Sequence, residues 1–327
     1  MFLKNKTSFE PILARGNLSD TIAVGAILIE HVYRILRDGR LELCAERPAA
    51  RPTDPPYILR QPIWAGVSVT AAGTVHGPGV APFLRPVSLT VGNEIRRLVV
   101  FGERRWQSTI FGELEASPPA RFESIPLSFT KAFGGGIDIP PGIDESGGLP
   151  QSGGRSPYPL NGDGIGYYRD LTSAKHAPLP NIELAEQMIE RWDAKPMPGC
   201  FVPCPDLVGL RLQTPALLAL VAIERRIEFT VRAGLNMLHH APGYLIFDAI
   251  GVATPVRLEG LGRRPLCFDV PAPEVGVHLR RRRERIVVLP KLRSLHVDAD
   301  QETVACVTGY AFRYEPESAP SWIEITC

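Results

Sequence analysis

Glycine and proline punctuate this chain so often that few stretches remain for a long helix. The 30 glycines and 32 prolines follow no fixed period, which excludes a collagen-like repeat. Glycine supplies the positive φ of tight turns; proline fixes φ and removes a backbone donor. Short strands joined by turns satisfy both constraints. The chain is therefore predicted to be mainly β: antiparallel sheets in a sandwich-like arrangement, one or two helices, and a long Gly/Pro-rich loop region. At 327 residues and 44% hydrophobic composition, it can bury a large core without staples.

Alternation locates the strands. Val24, Ala26, Leu28 and Glu30 alternate with Gly25, Ile27 and Ile29. Asp38-Gly39 between two β-prone runs is a hairpin signal. Proline-rich residues 47–62 exclude a central strand there. Val67, Val69 and Ala71, then Val87, Leu89 and Val91, repeat with period two, and Val91-Gly92-Asn93-Glu94 reads as a turn into a strand at 97–101. Further strands are expected at 227–232, 256–259 and 286–289, and a hairpin about Ala299-Asp300-Gln301. Two helices are expected. Residues 182–194 place Leu184, Met188 and Trp192 on one face, with Asn181 as N-cap and Pro196 as the stop. Residues 214–226 start at Thr214-Pro215 and are apolar nearly all round. The organisation predicted is a β-rich part over 1–132, a Gly/Pro-rich motif region with one helix over 133–205, and a β-rich part with a buried helix over 206–327, or one continuous domain.

Chemical signatures are sparse. The chain has no G-x-S-x-G elbow, no H-E-x-x-H and no G-x-x-x-x-G-K-[ST] loop. Gly162-Asp163-Gly164-Ile165-Gly166 follows a proline-rich loop, where a dinucleotide site requires a strand, so it reads as a structural turn. Cys200 and Cys204 with His239-His240 form one thiol pair and one histidine pair, without the second close-spaced pair that a zinc site needs. The six cysteines are scattered and read mostly as small buried hydrophobes. Asp138, Asp144, Glu145 and Asp163 lie on loops with no base beside them, so no catalytic role is assigned. No metal and no cofactor is expected. A net charge of +1 implies no general attraction to nucleic acid or anionic lipid; Arg280–Arg283 with Arg285 is the one basic run. The first residues lack the apolar core of a signal peptide, and residues 21–30 are too short to span a bilayer. A cytoplasmic protein is expected.

Five short motifs occur in order. They are Gly102-Glu103-Arg104-Arg105-Trp106; Pro126-Leu127-Ser128-Phe129 with Lys131-Ala132-Phe133-Gly134-Gly135; Asn161-Gly162-Asp163-Gly164-Ile165-Gly166; Leu179-Pro180-Asn181-Ile182-Glu183; and Pro196-Met197-Pro198-Gly199-Cys200-Phe201. Each is weak alone, but the ordered set resembles the domain-of-unknown-function 2169 family. Glu103 stands where the family has Asp, and Gly162 where it has Pro. The resemblance implies a non-enzymatic adaptor or chaperone that binds a type VI secretion effector and helps load it onto the spike, a VgrG- or PAAR-type protein. Two other readings stay open: a hydrolase or carbohydrate-active enzyme with a loop-built site, and a basic nucleic-acid-binding or structural module.

The motif residues also carry a physical reading of their own. The Arg104 guanidinium is placed to stack on an aromatic ring or to pair with Glu183. Phe133 followed by Gly134-Gly135 suits a buried anchor entering an irregular turn. Together with Gly102, Trp106, Pro126, Leu127, Asn161, Gly164, Gly166, Leu179, Pro180 and Asn181, these residues are the candidate site, as a polar scaffold for a long loop or as a binding surface.

Overall fold

A computed structural model describes residues 2–6, 11–17, 23–44, 66–139, 142–143, 150–151, 154–203, 241–248, 250–272, 275–281, 284–314 and 322–326. The fold is mainly β and is built on three larger sheets. The first has seven strands. Ile246–Phe247, Val67–Ala72, Lys291–Asp298, Thr303–Tyr314, Ala23–Ile35 and Pro11–Asn17 follow in order, and Leu41–Leu43 adds to the strand 23–35. The second has five strands, ordered Ile182–Leu184, Glu94–Phe101, Leu84–Val91, Pro255–Glu259 and Leu266–Asp269. The third has four: Phe2–Asn5, Trp322–Thr326, Gly276–Arg281 and Glu284–Val288. Most neighbours are antiparallel; the strand 67–72 runs parallel to 291–298, and 2–5 parallel to 322–326.

Alternation explains how the sheets pack. Val87, Leu89, Val91, Leu98 and Val100 point from the five-stranded sheet into the same core as Val67, Val69, Ala71, Leu295 and Val297 from the seven-stranded one. The long strand 23–35 serves two cores with one face, since residues two apart share a side. Tyr33 and Ile35 join the core between the two larger sheets. Ile27 and Ile29 pack with Val277, Leu279, Ile323 and Ile325 of the four-stranded sheet. His31, 2% exposed, lies between the two sets. Burying each such Ile or Leu contributes about 1.5–3 kcal/mol, so the shared strand ties the sheets together.

The hairpins predicted from turn chemistry form: 23–35 pairs with 41–43 across Asp38-Gly39, 84–91 with 94–101 across Gly92, and 291–298 with 303–314 across 299–302. The helix expected over 182–194 does not form. Ile182–Leu184 is instead the edge strand of the five-stranded sheet, paired with Leu98–Val100, and turns follow it. Ile182, Glu183 and Leu184 are all buried, which needs the extended chain: a helix would turn one of the three away. Asn181 therefore caps no helix; its Nδ2 donates to the Phe101 carbonyl oxygen at 3.1 Å. The one α-helix among the described residues is a single turn, Leu171–Ala174. Asp170 caps it by accepting from the Ser173 amide at 2.8 Å. The helix expected at 214–226, the strand expected at 227–232 and the proline-rich segment 47–62 lie outside the described residues.

Candidate functional site

The motif residues meet in the interior. Arg104 follows the strand 94–101 and is 6% exposed. Its guanidinium lies over the Phe101 ring, 3.6 Å from the centroid. Its Nη2 donates to the Pro180 carbonyl at 2.8 Å and pairs with Glu183. Glu183, 3% exposed, also accepts from the Ile189 amide at 2.8 Å through its second oxygen. Burial pushes the Glu183 carboxyl above the ordinary carboxylate range, with Arg104 and the Ile189 amide opposing. Both options read from the residues, stacking and pairing, are thus realised at once. The backbone joins in: Leu179 N–H donates to the Arg104 carbonyl, Asn181 N–H to that of Lys131, and Phe101 N–H to that of Asn181.

A second knot forms at Asn161, which has no exposed surface. Its Nδ2 donates to the Phe129 carbonyl at 2.8 Å and to the Phe133 carbonyl at 2.9 Å. Gly134 lies against it with φ +151, and a side chain there would overlap the Asn161 carbonyl oxygen. Only glycine combines that φ with that approach. Phe133-Gly134 pairs in parallel with Ile165-Gly166. Gly135 N–H donates to the Asn161 carbonyl, and Ile165 N–H to that of Ala132. Gly164 sits in the same knot: a side chain there would overlap the Asn161 Nδ2, the Ala132 carbonyl oxygen and the Gly134 Cα.

An aromatic cluster surrounds these knots. Trp106, Phe133, Tyr158, Leu179 and Ile189 are buried together, with Tyr167, Tyr168 and Trp192 partly buried against them. Phe133 meets Tyr158 edge to face at 5.0 Å. Tyr244 was not singled out from the sequence. The Tyr244 hydroxyl accepts from the Cys200 amide at 2.7 Å and donates to the Cys200 carbonyl at 2.6 Å, tying down the last motif. The remaining candidates are peripheral. Gly102 is buried where its N–H donates to the Phe83 carbonyl. Leu127 is buried, and Pro126 is exposed at the short pairing with Thr74.

As chemistry, this arrangement holds backbone in place. Its one ion pair is internal. Of the carboxylates named from the sequence, Asp138 and Asp163 are exposed, and Asp144 and Glu145 lie outside the described residues. Burial pushes the Cys200 thiol up to about 12, far from thiolate reactivity. Cys204 and His239-His240 lie outside the described residues, and no metal-binding group of His, Cys, Asp and Glu occurs among the described ones. No described helix is long and apolar enough to cross a membrane.

The cluster also carries a projecting hairpin. Trp106–Ser108 pairs with Leu114–Ala116. Gly112, φ +82, closes the turn by donating to the Thr109 carbonyl. At the apex Ile110 is 94% and Phe111 84% exposed.

A family model described as uncharacterized protein conserved in bacteria (DUF2169) matches residues 60–308. No curated protein and no solved structure matches the chain. The match spans most of the sequence and takes in all five motifs and the cluster they build, so the chain belongs to the DUF2169 family.

Proposed function

We propose that the protein is a non-catalytic adaptor that binds a type VI secretion effector in the cytoplasm and helps place it on the spike, a VgrG- or PAAR-type protein. The observation that carries this reading is the Ile110-Phe111 apex. Turns favour Gly, Pro, Asn, Asp and Ser, and two large apolar side chains left in water add nothing to folding. Aromatic anchors of this kind suit partner contacts, which bury them in a cavity of the other protein. The hairpin starts at Trp106, inside the family motif, so the buried cluster acts as a rigid mount for the exposed tip. The internal partners of Arg104 Nη2, Glu183 and Asn161 Nδ2 support a scaffold over a reactive centre.

The test is affinity capture of the tagged full chain from its native bacterium, with proteins identified by mass spectrometry. The wild type is expected to recover an effector together with a spike protein. The Ile110→Ser/Phe111→Ser variant should keep its thermal midpoint and lose most of that recovery. Failure of the wild type to recover either protein would reject the adaptor reading. Undiminished recovery by the variant would move the contact off the apex.

A further inference from the structure

A cavity of ≈ 470 Å³ opens on the far part of the seven-stranded sheet, outside the motif cluster. Its walls are largely apolar, with Val67, Val252, Val270 and Leu292 among them. Lys291, Arg293 and Asp248 also line it. Strand pairing explains why an arginine is there. Leu292 faces Thr308 and Ser294 faces Val307, so Arg293 is the extra residue of a β-bulge. Bulges re-aim a side chain out of the regular alternation. Arg293 is half-buried, and its guanidinium has no hydrogen bond or ion pair with another described residue. Burial alone holds its guanidinium below the ordinary arginine value, with no carboxylate acting to raise it. A partly buried guanidinium without a protein counter-ion is open to an anionic ligand.

We propose that this cavity binds a carboxylate carried on an apolar body, with the carboxylate on Arg293 and the body along Val67, Val252 and Val270. Among the described lining residues, two cations against the Asp248 carboxylate leave one positive charge, which matches a monoanion and disfavours a doubly charged phosphate. A planar guanidinium takes a carboxylate through two parallel hydrogen bonds. The volume falls within the range of small-ligand sites. The inference does not depend on the adaptor reading. The same chemistry has two sources: a free aliphatic acid, or the C-terminal carboxylate of a peptide ending in apolar residues.

Calorimetric titration of the full chain with four probes tests it: octanoate, N-acetyl-Val-Val-Leu with a free carboxylate, the same peptide as its C-terminal amide, and inorganic phosphate. At least one carboxylate probe is expected to bind saturably, and the amide and phosphate are not. Octanoate alone identifies a free acid; the peptide acid alone identifies a chain terminus. Arg293→Met should weaken binding about tenfold or more, the cost of a lost charge-assisted hydrogen bond. Val252→Asp places a repelling charge at a position already 60% exposed, and should weaken binding similarly with the fold intact. If Arg293→Met does not fold, Val252→Asp decides. Binding of neither acid, equal binding of the amide or of phosphate, or full affinity in Val252→Asp would overturn the proposal.

Discussion

At the scale of single residues, Arg104 and Glu183 are the most consequential pair in the protein. Each is nearly inaccessible and each meets the other's charge. A buried ion pair contributes little net stability against an apolar replacement, but removing one partner strands the other. Arg104→Met and Glu183→Leu are therefore each expected to lose about 3–5 kcal/mol in urea denaturation. The double variant should lose less than the sum, because no lone charge remains. It should not regain wild-type stability, since the Ile189 amide and the Pro180 carbonyl both lose a partner. Strictly additive losses would show that the pair is not coupled and that the scaffold is held elsewhere.

At the scale of elements, the hairpin between 291–298 and 303–314 carries a titratable clamp. Glu302 occupies a left-handed backbone conformation, φ +55. Its carboxylate accepts two hydrogen bonds from Arg264, at 2.9 and 2.7 Å, and Arg264 also donates to the Ile35 carbonyl at 3.0 Å. Arg264 holds the Glu302 carboxyl below the ordinary value of 4.5. The folded state thus binds this proton less readily than the unfolded state. Its contribution is present above pH 4.5 and is lost as the pH falls through the lower folded value. The thermal-midpoint difference between wild type and Glu302→Gln should be constant near neutral pH and narrow below 4.5. A difference that stays constant down to pH 3 would mean that the clamp carries no such linkage. Elements of this kind were largely legible in the sequence, because period-two alternation and Asp-Gly or Asn-bearing turns act locally. The segment 182–194 was not. Its spacing suits a helix, yet Leu184 enters the main core, Trp192 packs against the aromatic cluster and Met188 is 48% exposed. Pairing with the strand 94–101 and the pull of Arg104 on Glu183 override that local pattern. The motif cluster could be read in part, since its order and its arginine–glutamate pair stand in the sequence. The Arg293 cavity could not, because it gathers residues from 66 to 308 and rests on a bulge that no local pattern announces.

At the scale of the molecule, the two ends of the chain close one sheet. Trp322–Thr326 lies between Phe2–Asn5 and Gly276–Arg281, parallel to the first and antiparallel to the second. Its Ile323 and Ile325 have no exposed surface and pack against Ile27 and Ile29. Those two lie on the same strand that carries Tyr33 and Ile35 into the main core. A chain ending at Tyr314 loses both isoleucines and uncovers their partners, roughly 3–6 kcal/mol of apolar burial before the lost strand pairing is counted. Since a domain's net stability is only about 5–15 kcal/mol, the truncated chain should melt far below the full chain and bind the apolar dye ANS. The damage should also reach the main core, because the strand 23–35 is common to both. Hydrogen exchange at residues 33–35 reports on that directly. Faster exchange there in the truncated chain would show the cores coupled through their shared strand. Unchanged protection at 33–35, with dye binding confined to the far sheet, would mean that the strand isolates the two cores instead of joining them.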